Sequence, residues 1–370
     1  MKMRLLFSLP ALLAAFAYTS ASLHNTAPPK PLPLLIWHGL GDKYDAEGLR
    51  SAGALAQDVY PGTYVYYIRL DEDGNQDRTN SFFGNVTEQI EQVCKDLRQD
   101  PRLRLQGSET QYNNGKVQMR VDALGFSQGG QFLRGLLERC DGLQMRSLVT
   151  FGSQHNGIAQ FQACGAFDFL CKGATALIKG NAWTEYVQGK VVPAQYYRTL
   201  NETTGEASEE YLEHSGFLAD VNNERVVKKE DYAENVAELE KFVMYVFEED
   251  TTVIPKESGW FAEVNMTADP AVVIPLQNRT IYKEDWVGLK ALDEKDGLVF
   301  RTAPGGHMQL KEKVLVDAYK TYFGPETREK GSALVGGLKG DGGRALPLMR
   351  DQQAASIRIG RWWSELKEYL

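Results

Sequence analysis

The sequence predicts an α/β fold, a mainly parallel sheet with helices on both faces and an inserted subdomain. Three observations carry that prediction. Short apolar runs of strand length recur along the chain, amphipathic helical segments alternate with them, and the alternation breaks down over about residues 155–237 into a cysteine-containing stretch with many aromatic residues. The first run, P-L-P-L-L-I-W-H from Pro31 to His38, is apolar without alternation, as a strand buried on both faces must be. Tyr64 to Leu70 follows a Pro-Gly turn and is rich in Tyr, Val and Ile, which predicts a second strand. Val86, Ile90, Val93 and Leu97 recur at three- and four-residue spacing and mark an amphipathic helix. Val121–Gly125 predicts a strand, Gln128–Arg139 a helix and Leu148–Phe151 a further strand. After the insert, Phe242–Phe247 and Leu298–Arg301 predict strands and Glu312–Phe323 a helix, with the core ending near Gly324. Residues 325–345 are polar and glycine-rich and predict a linker. Ile357, Ile359, Trp362, Trp363, Leu366 and Tyr369 then fall in roughly helical spacing, so residues 325–370 are expected to form a linker and a C-terminal amphipathic extension.

Composition narrows the function. With 370 residues, 43% hydrophobic and 24% charged, the chain has the make-up of a folded protein rather than a disordered tail. A net charge of −8 gives no basic surface to displace counterions from phosphates, which argues against nucleic-acid binding. Met1, Lys2, Met3 and Arg4 precede an apolar stretch from Leu5 to Ala17 and then small residues up to Ala21, the pattern of a secretory signal peptide over residues 1–21. No later segment approaches the 18 or so uninterrupted apolar residues of a membrane span, so a soluble mature chain is expected. Four cysteines in an oxidising compartment allow three pairings. Cys164 and Cys171 are close enough in sequence to close a small loop, which would leave Cys94 with Cys140. Sequons at Asn85, Asn201, Asn265 and Asn278 fit the same compartment.

The chemistry centres on Gly125-Phe126-Ser127-Gln128-Gly129. This G-x-S-x-G lies between a predicted strand and a predicted helix, where glycines permit a sharp turn that exposes the serine hydroxyl above the strand ends. A serine needs a histidine base and an orienting carboxylate, in the chain order Ser, acid, His for this arrangement. Of the five histidines, His24 adjoins the signal peptide and His38 precedes the serine, while His155 and His214 leave little room for an intervening acid. His307, in G-G-H-M after the last predicted strand, is the expected base. Asp250 stands at the carboxyl end of Phe242–Phe247, where sites on open α/β sheets form, and is the expected acid. Its rivals are Glu248, Glu249 and Asp296, the last placed before a strand and so on the opposite edge of the sheet. The backbone N–H groups of Leu40, in H-G-L-G-D, and Gln128 are the expected oxyanion donors. His38 is expected to be structural, and Ser153 lacks a glycine two residues on and is a poor rival nucleophile. Nothing calls for a metal or organic cofactor: C-x-x-C, H-E-x-x-H and a phosphate-binding glycine loop are all missing.

Five blocks in order, W-H-G-L-G-D (Trp37–Asp42), G-F-S-Q-G-G-Q-F-L-R-G (Gly125–Gly135), F-L-A-D-V-N-N-E-R (Phe217–Arg225), I-P-L-Q (Ile274–Gln277) and G-G-H-M-Q-L (Gly305–Leu310), resemble the palmitoyl-protein thioesterases, over about residues 31–324. The resemblance implies an α/β-hydrolase fold in a lysosomal, vacuolar or secreted protein that removes palmitoyl groups from S-acylated cysteines of proteins or peptides. It implies a triad of Ser127, Asp250 and His307, an oxyanion hole at Leu40 and Gln128, and disulfides Cys94–Cys140 and Cys164–Cys171. Two departures stand out: Lys43 and Tyr44 occupy positions where animal members commonly carry a cysteine pair, and the tail past Gly324 has no counterpart in the animal pattern. The insert is expected to supply the acyl groove. The competing reading is a secreted lipase or carboxylesterase, because triad geometry alone does not select the leaving atom.

Overall fold

The computed structural model describes residues 30–104, 112–113, 116–161, 164 and 169–325. The signal peptide, His24 and the C-terminal extension expected from the sequence lie outside the described residues. The centre is a six-stranded sheet whose paired neighbours are all parallel: β1 (Leu34–Trp37), β2 (Val65–Tyr67), β3 (Met119–Phe126), β4 (Leu143–Phe151), β5 (Lys241–Phe247) and β6 (Leu298–Ala303), in spatial order β6-β5-β4-β3-β1-β2. The expected strands are all present, with the third and fourth longer at their starts.

Alternate residues of each strand serve opposite faces. Leu34, Ile36, Leu124, Phe126, Val149 and Phe151 pack against helix α1 (Glu47–Val59) and the last described helix, Glu312–Tyr322. On the other face Leu35, Trp37, Val121 and Ala123 share a cluster with α3 (Val86–Gln99) and α4 (Gln128–Arg139). The polar helix α2 (Gly74–Phe82) precedes α3, and its Phe82 packs in a separate cluster. The helix α4 is buried from Gln128 to Glu138, because the sheet covers one side and the segment between β4 and β5 covers the other. One disulfide joins Cys94 of α3 to Cys140 at the end of α4, and the second joins Cys164 to Cys171.

Between β4 and β5 the described residues include the helices α5 (Phe169–Ile178), α6 (Glu185–Lys190), α7 (Glu209–His214) and α8 (Glu230–Ala237), with shorter helical turns such as Leu218–Val221. Their side chains share a core with the sheet: Tyr211, Phe217 and Leu218 belong to the cluster that holds Leu133 and Leu136 of α4. A second excursion, which the sequence reading did not separate, runs between β5 and β6 and includes the hairpin of Glu263–Asn265 with Val272–Ile274. Buried ion pairs stitch the two excursions together. Arg198 pairs with Glu224 at 2.8 Å and with Glu263, while Arg279 reaches Glu263 at 3.1 Å and donates to Asn156. The final helix, numbered α9 (Glu312–Tyr322), is tied to the sheet by Ser147 Oγ donating to the carbonyl of Tyr322 at 2.8 Å. Of the sequon asparagines, Asn201 and Asn278 are exposed, and Asn85 uses only its Oδ1 to cap α3.

Glu138 is fully buried in α4, accepts from Arg134 Nη1 at 3.0 Å, and leaves its second oxygen without a partner. Burial therefore pushes its carboxyl up to about 7, with the nearby arginines opposing. A carboxyl raised in the folded state binds its proton more tightly there, so its contribution to stability declines as pH climbs from the ordinary carboxylate range to about 7. The margin in melting temperature of the wild type over Glu138→Gln is expected to be larger at pH 5 than at pH 8. A margin that widens with pH would contradict this account.

Candidate active site

Ser127 sits at the junction of β3 and α4 with φ 53° and ψ −125°, a conformation that side chains rarely adopt. Close packing forces the turn. A Cβ on Gly125 would lie 2.3 Å from Gly130 Cα, and one on Gly129 would lie 2.6 Å from the carbonyl oxygens of Trp37 and His38. Only bare glycine backbone lets α4 start directly over the ends of β1 and β3. The turn is fastened by Ser127 N–H donating to the carbonyl of Phe151 at 2.8 Å.

The parallel register aligns the carboxyl ends of the strands, with Phe126 beside Phe151, Phe151 beside Tyr245 and Phe247 beside Ala303. The loops that follow therefore meet above one edge of the sheet. Ser127 Oγ lies 3.0 Å from His307 Nε2, and His307 Nδ1 lies 2.7 Å from Asp250 Oδ2. Because a carboxylate only accepts, Nδ1 carries the proton and Nε2 is left to accept from the serine hydroxyl. Asp250 Oδ1 takes the N–H groups of Thr252 at 2.9 Å and Val253 at 3.0 Å, which holds the carboxylate in place. The side chain of Asp250 is 1% exposed and that of His307 14%, so the carboxylate is shielded while the imidazole reaches the surface of the cleft. Gly152 supplies room: a Cβ there would sit 3.0 Å from His307 Cε1.

The rivals fall elsewhere. Glu248 and Glu249 are exposed, and Asp296 lies at the start of β6, about six residues and roughly 17 to 20 Å from the end where Asp250 stands. His155 is buried without solvent access, contacts Thr150 Oγ1 through Nε2 at 3.1 Å and stacks on Phe261; burial, with Arg134 nearby, holds it well below the usual histidine range and hence neutral. His214 is exposed near Glu213. His38 is fully buried, with Nε2 3.0 Å from Asp77 Oδ2 and Nδ1 2.8 Å from the carbonyl of Gly39. Ser153 is buried against Gly130.

The loop after β1 lies against the serine, a Cβ on Gly39 falling 3.2 Å from Ser127 Cβ. Among the described residues the N–H groups of Leu40, on the loop after β1, and Gln128, at the start of α4, donate to no protein acceptor. A cleft of about 680 Å³ opens on Ser127 and His307, walled by Leu40, Leu49, Ala52, Phe126, Met308 and Leu315. Its walls come from α1, α9 and the two loops, and none from the described residues of 155–237, where the sequence predicts the acyl groove. In that segment Ile178, Val187, Val191 and Ala194 are buried together with Phe82, and Leu40 packs on them. Asp77 and Ser81, two polar residues of α2 buried beside the loop, carry no signal in the sequence beyond their place in a polar segment.

Known proteins resemble the chain over most of its length. A family model described as palmitoyl protein thioesterase matches residues 33–307. The chain is 34% identical over 316 residues to a Caenorhabditis elegans protein named palmitoyl-protein thioesterase 1, covering 85% of this chain and 98% of that one. It is 31% identical over 323 residues to a Dictyostelium discoideum palmitoyl-protein thioesterase 3, covering 87% and 96%. A Schizosaccharomyces pombe palmitoyl-protein thioesterase-dolichyl pyrophosphate phosphatase fusion is 33% identical over 310 residues, covering 83% of this chain and 46% of the fusion.

Replacing Asp250 by Asn keeps an oxygen for Thr252 and Val253 but can turn a donor toward His307, favouring the wrong tautomer. The expected loss in kcat is about 10³- to 10⁴-fold with the fold retained, while Asp296→Asn stays within about twofold of wild type. Equal losses in the two variants, measured by initial rates, would remove Asp250 from the site.

Proposed function

The chain belongs to the palmitoyl protein thioesterase family, and on that premise we propose that it hydrolyses S-palmitoyl thioesters of proteins or peptides through Ser127, His307 and Asp250. The observation that carries the reading is the unbroken relay from Asp250 through His307 to Ser127, at the floor of an apolar cleft.

In the first step His307 Nε2 takes the hydroxyl proton as Ser127 Oγ adds to the thioester carbonyl. Negative charge develops on the carbonyl oxygen, and the N–H groups of Leu40 and Gln128 receive it. Fixed dipoles stabilise that charge without reorganising, an effect typically worth about 3 to 4 kcal/mol per donor. The intermediate collapses by breaking the carbon–sulfur bond. The proton on His307 passes to the departing sulfur, leaving palmitoyl esterified to Ser127. Water then adds with His307 as base, the ester bond to Oγ breaks, and the serine recovers its proton as the fatty acid leaves. Asp250 keeps Nδ1 protonated and balances the imidazolium in both halves. A cysteine thiol with an ordinary pKa near 8.5 leaves readily, so sulfur demands less of the general acid than an amine would.

The acyl chain is recognised by apolar contact, at about 0.8 kcal/mol for each buried CH₂. Leu40 both lines the cleft and packs on the apolar cluster of the insert, which supports a path from Ser127 past Leu40 toward residues 155–237. The leader-like N-terminus, the four sequons and two disulfides support delivery through the secretory pathway to a lysosome or vacuole, or secretion. No described helix is long and apolar enough to cross a membrane.

Thiol release from an S-palmitoylated peptide is expected to proceed well ahead of hydrolysis of the matched O-palmitoylserine peptide, and Ser127→Ala is expected to abolish it with the fold unchanged. Preference for the oxygen ester would reassign the chain to the esterases or lipases, and turnover by Ser127→Ala would remove the serine from the mechanism.

A further inference from the structure

Two backbone N–H groups form the proposed oxyanion site, one on the loop after β1 and the other at the start of α4, far apart in sequence, so something must hold them at a fixed separation. We propose that α2 is that clamp, with Ser81 and Asp77 as positioning residues; the inference rests on the oxyanion site described under the proposed function.

Ser81 lies between the two donors and bonds to both segments. Its Oγ–H donates to the carbonyl of Arg78 at 2.6 Å, which leaves the oxygen lone pairs to accept the N–H of Gly41 at 2.9 Å. Its carbonyl accepts from the side chain of Gln128 at 3.2 Å. One residue of α2 is thus hydrogen-bonded to the neighbour of the first donor and to the side chain of the second. Asp77 fixes the other end of the loop. Its carboxylate accepts the N–H of Leu70 at 2.7 Å and of Tyr44 at 2.8 Å, and it meets His38 Nε2 at 3.0 Å. Asp77 and Ser81 are 0% and 1% exposed, so these bonds are not exchanged for water.

The fit is steric as well. Gly41 has φ +76°, and a Cβ there would stand 3.2 Å from the ring of Phe82, so the loop rests on the last residue of α2. With the N–H of Gly41 committed to Ser81, the preceding N–H, that of Leu40, remains available to the reacting carbonyl. A loop released from α2 keeps the triad intact but lets one donor drift, and a shift of about 1 Å in such a group costs on the order of 100-fold. The substrate's ground state, held by apolar walls, is untouched.

The test is kinetic. In the full chain, Ser81→Ala is expected to lower kcat for thiol release from the S-palmitoylated peptide about 10- to 100-fold with KM within about threefold. Inhibition by a long-chain alkyl trifluoromethyl ketone, which forms a tetrahedral adduct on serine, should weaken by the same factor. Ser81→Thr, which keeps the hydroxyl oxygen, should restore most of both. A merely structural role would lower the amount of folded enzyme or move KM without this parallel. Wild-type kcat and ketone affinity in Ser81→Ala would overturn the clamp, as would failure of Ser81→Thr to restore either quantity. If the ketone does not inhibit the wild type at all, the premise of an oxyanion site at Leu40 and Gln128 falls and the clamp falls with it.

Discussion

Everything at this site depends on one strained residue. Ser127 holds a positive φ at the crossing of a strand and a helix, at a cost of about 1 to 3 kcal/mol for such a conformation. The strain persists because the surroundings leave no alternative. The helix behind it is buried along Gln128–Glu138, the sheet lies beneath it, and the carbonyl of Phe151 holds the serine's own N–H. Relaxing the turn would mean withdrawing a buried helix from the core. Glycine at 125, 129 and 130 brings the backbones within reach, and the core supplies the force that keeps them there.

A stiff parallel sheet then converts register into chemistry. Asp250 and His307 are 57 residues apart and His307 and Ser127 180, yet they meet because the carboxyl ends of β3, β5 and β6 stand level and each side chain follows its strand after a short loop. The long excursions between those strands do not loosen the arrangement. Arg198, Glu224, Glu263 and Arg279 join one excursion to the other, so that the connection on each side of β5 is anchored by the same buried charges. The desolvation of such groups is compensated only when every charge has partners, and removal of any one leaves another exposed to an apolar core.

Local patterns made much of this legible. A run of Leu-Leu-Ile-Trp buried on both faces, or Val86, Ile90, Val93 and Leu97 on one face of α3, needs no distant information to be read. The helix α1 was not singled out although Leu49, Ala52, Gly53 and Ala56 recur at helical spacing on its buried side; three of the four are small, and the cleft and α9 lie against them. Polar α2 was not singled out either. Asp73, Asn75, Gln76, Asp77 and Asn80 read as a solvated loop, and only the tertiary structure turns Asp77 inward to the loop after β1. The start of β4 was hidden by Arg146, whose burial is tolerated because it pairs with Asp122 across the sheet. That Ser127, Asp250 and His307 would meet was legible through order and strand ends. The contacts that position them were not, being set by side chains whose partners are dozens of residues away.

Among the described residues two His–Asp pairs stand near the same loop, and comparing them separates what the pair contributes from what its surroundings contribute. In both, an imidazole nitrogen lies within 3.0 Å of a carboxylate oxygen. His38 spends its second nitrogen on the carbonyl of Gly39, in a position closed to solvent, so it has no site from which to take a proton from a substrate or a hydroxyl. His307 presents its second nitrogen to Ser127 and is partly open to the cleft. The same two residue types therefore make a fixed strut in one place and, in the proposed mechanism, a proton carrier in the other. What decides between them is the atom facing the second nitrogen, a carbonyl that can only accept or a hydroxyl that can also donate.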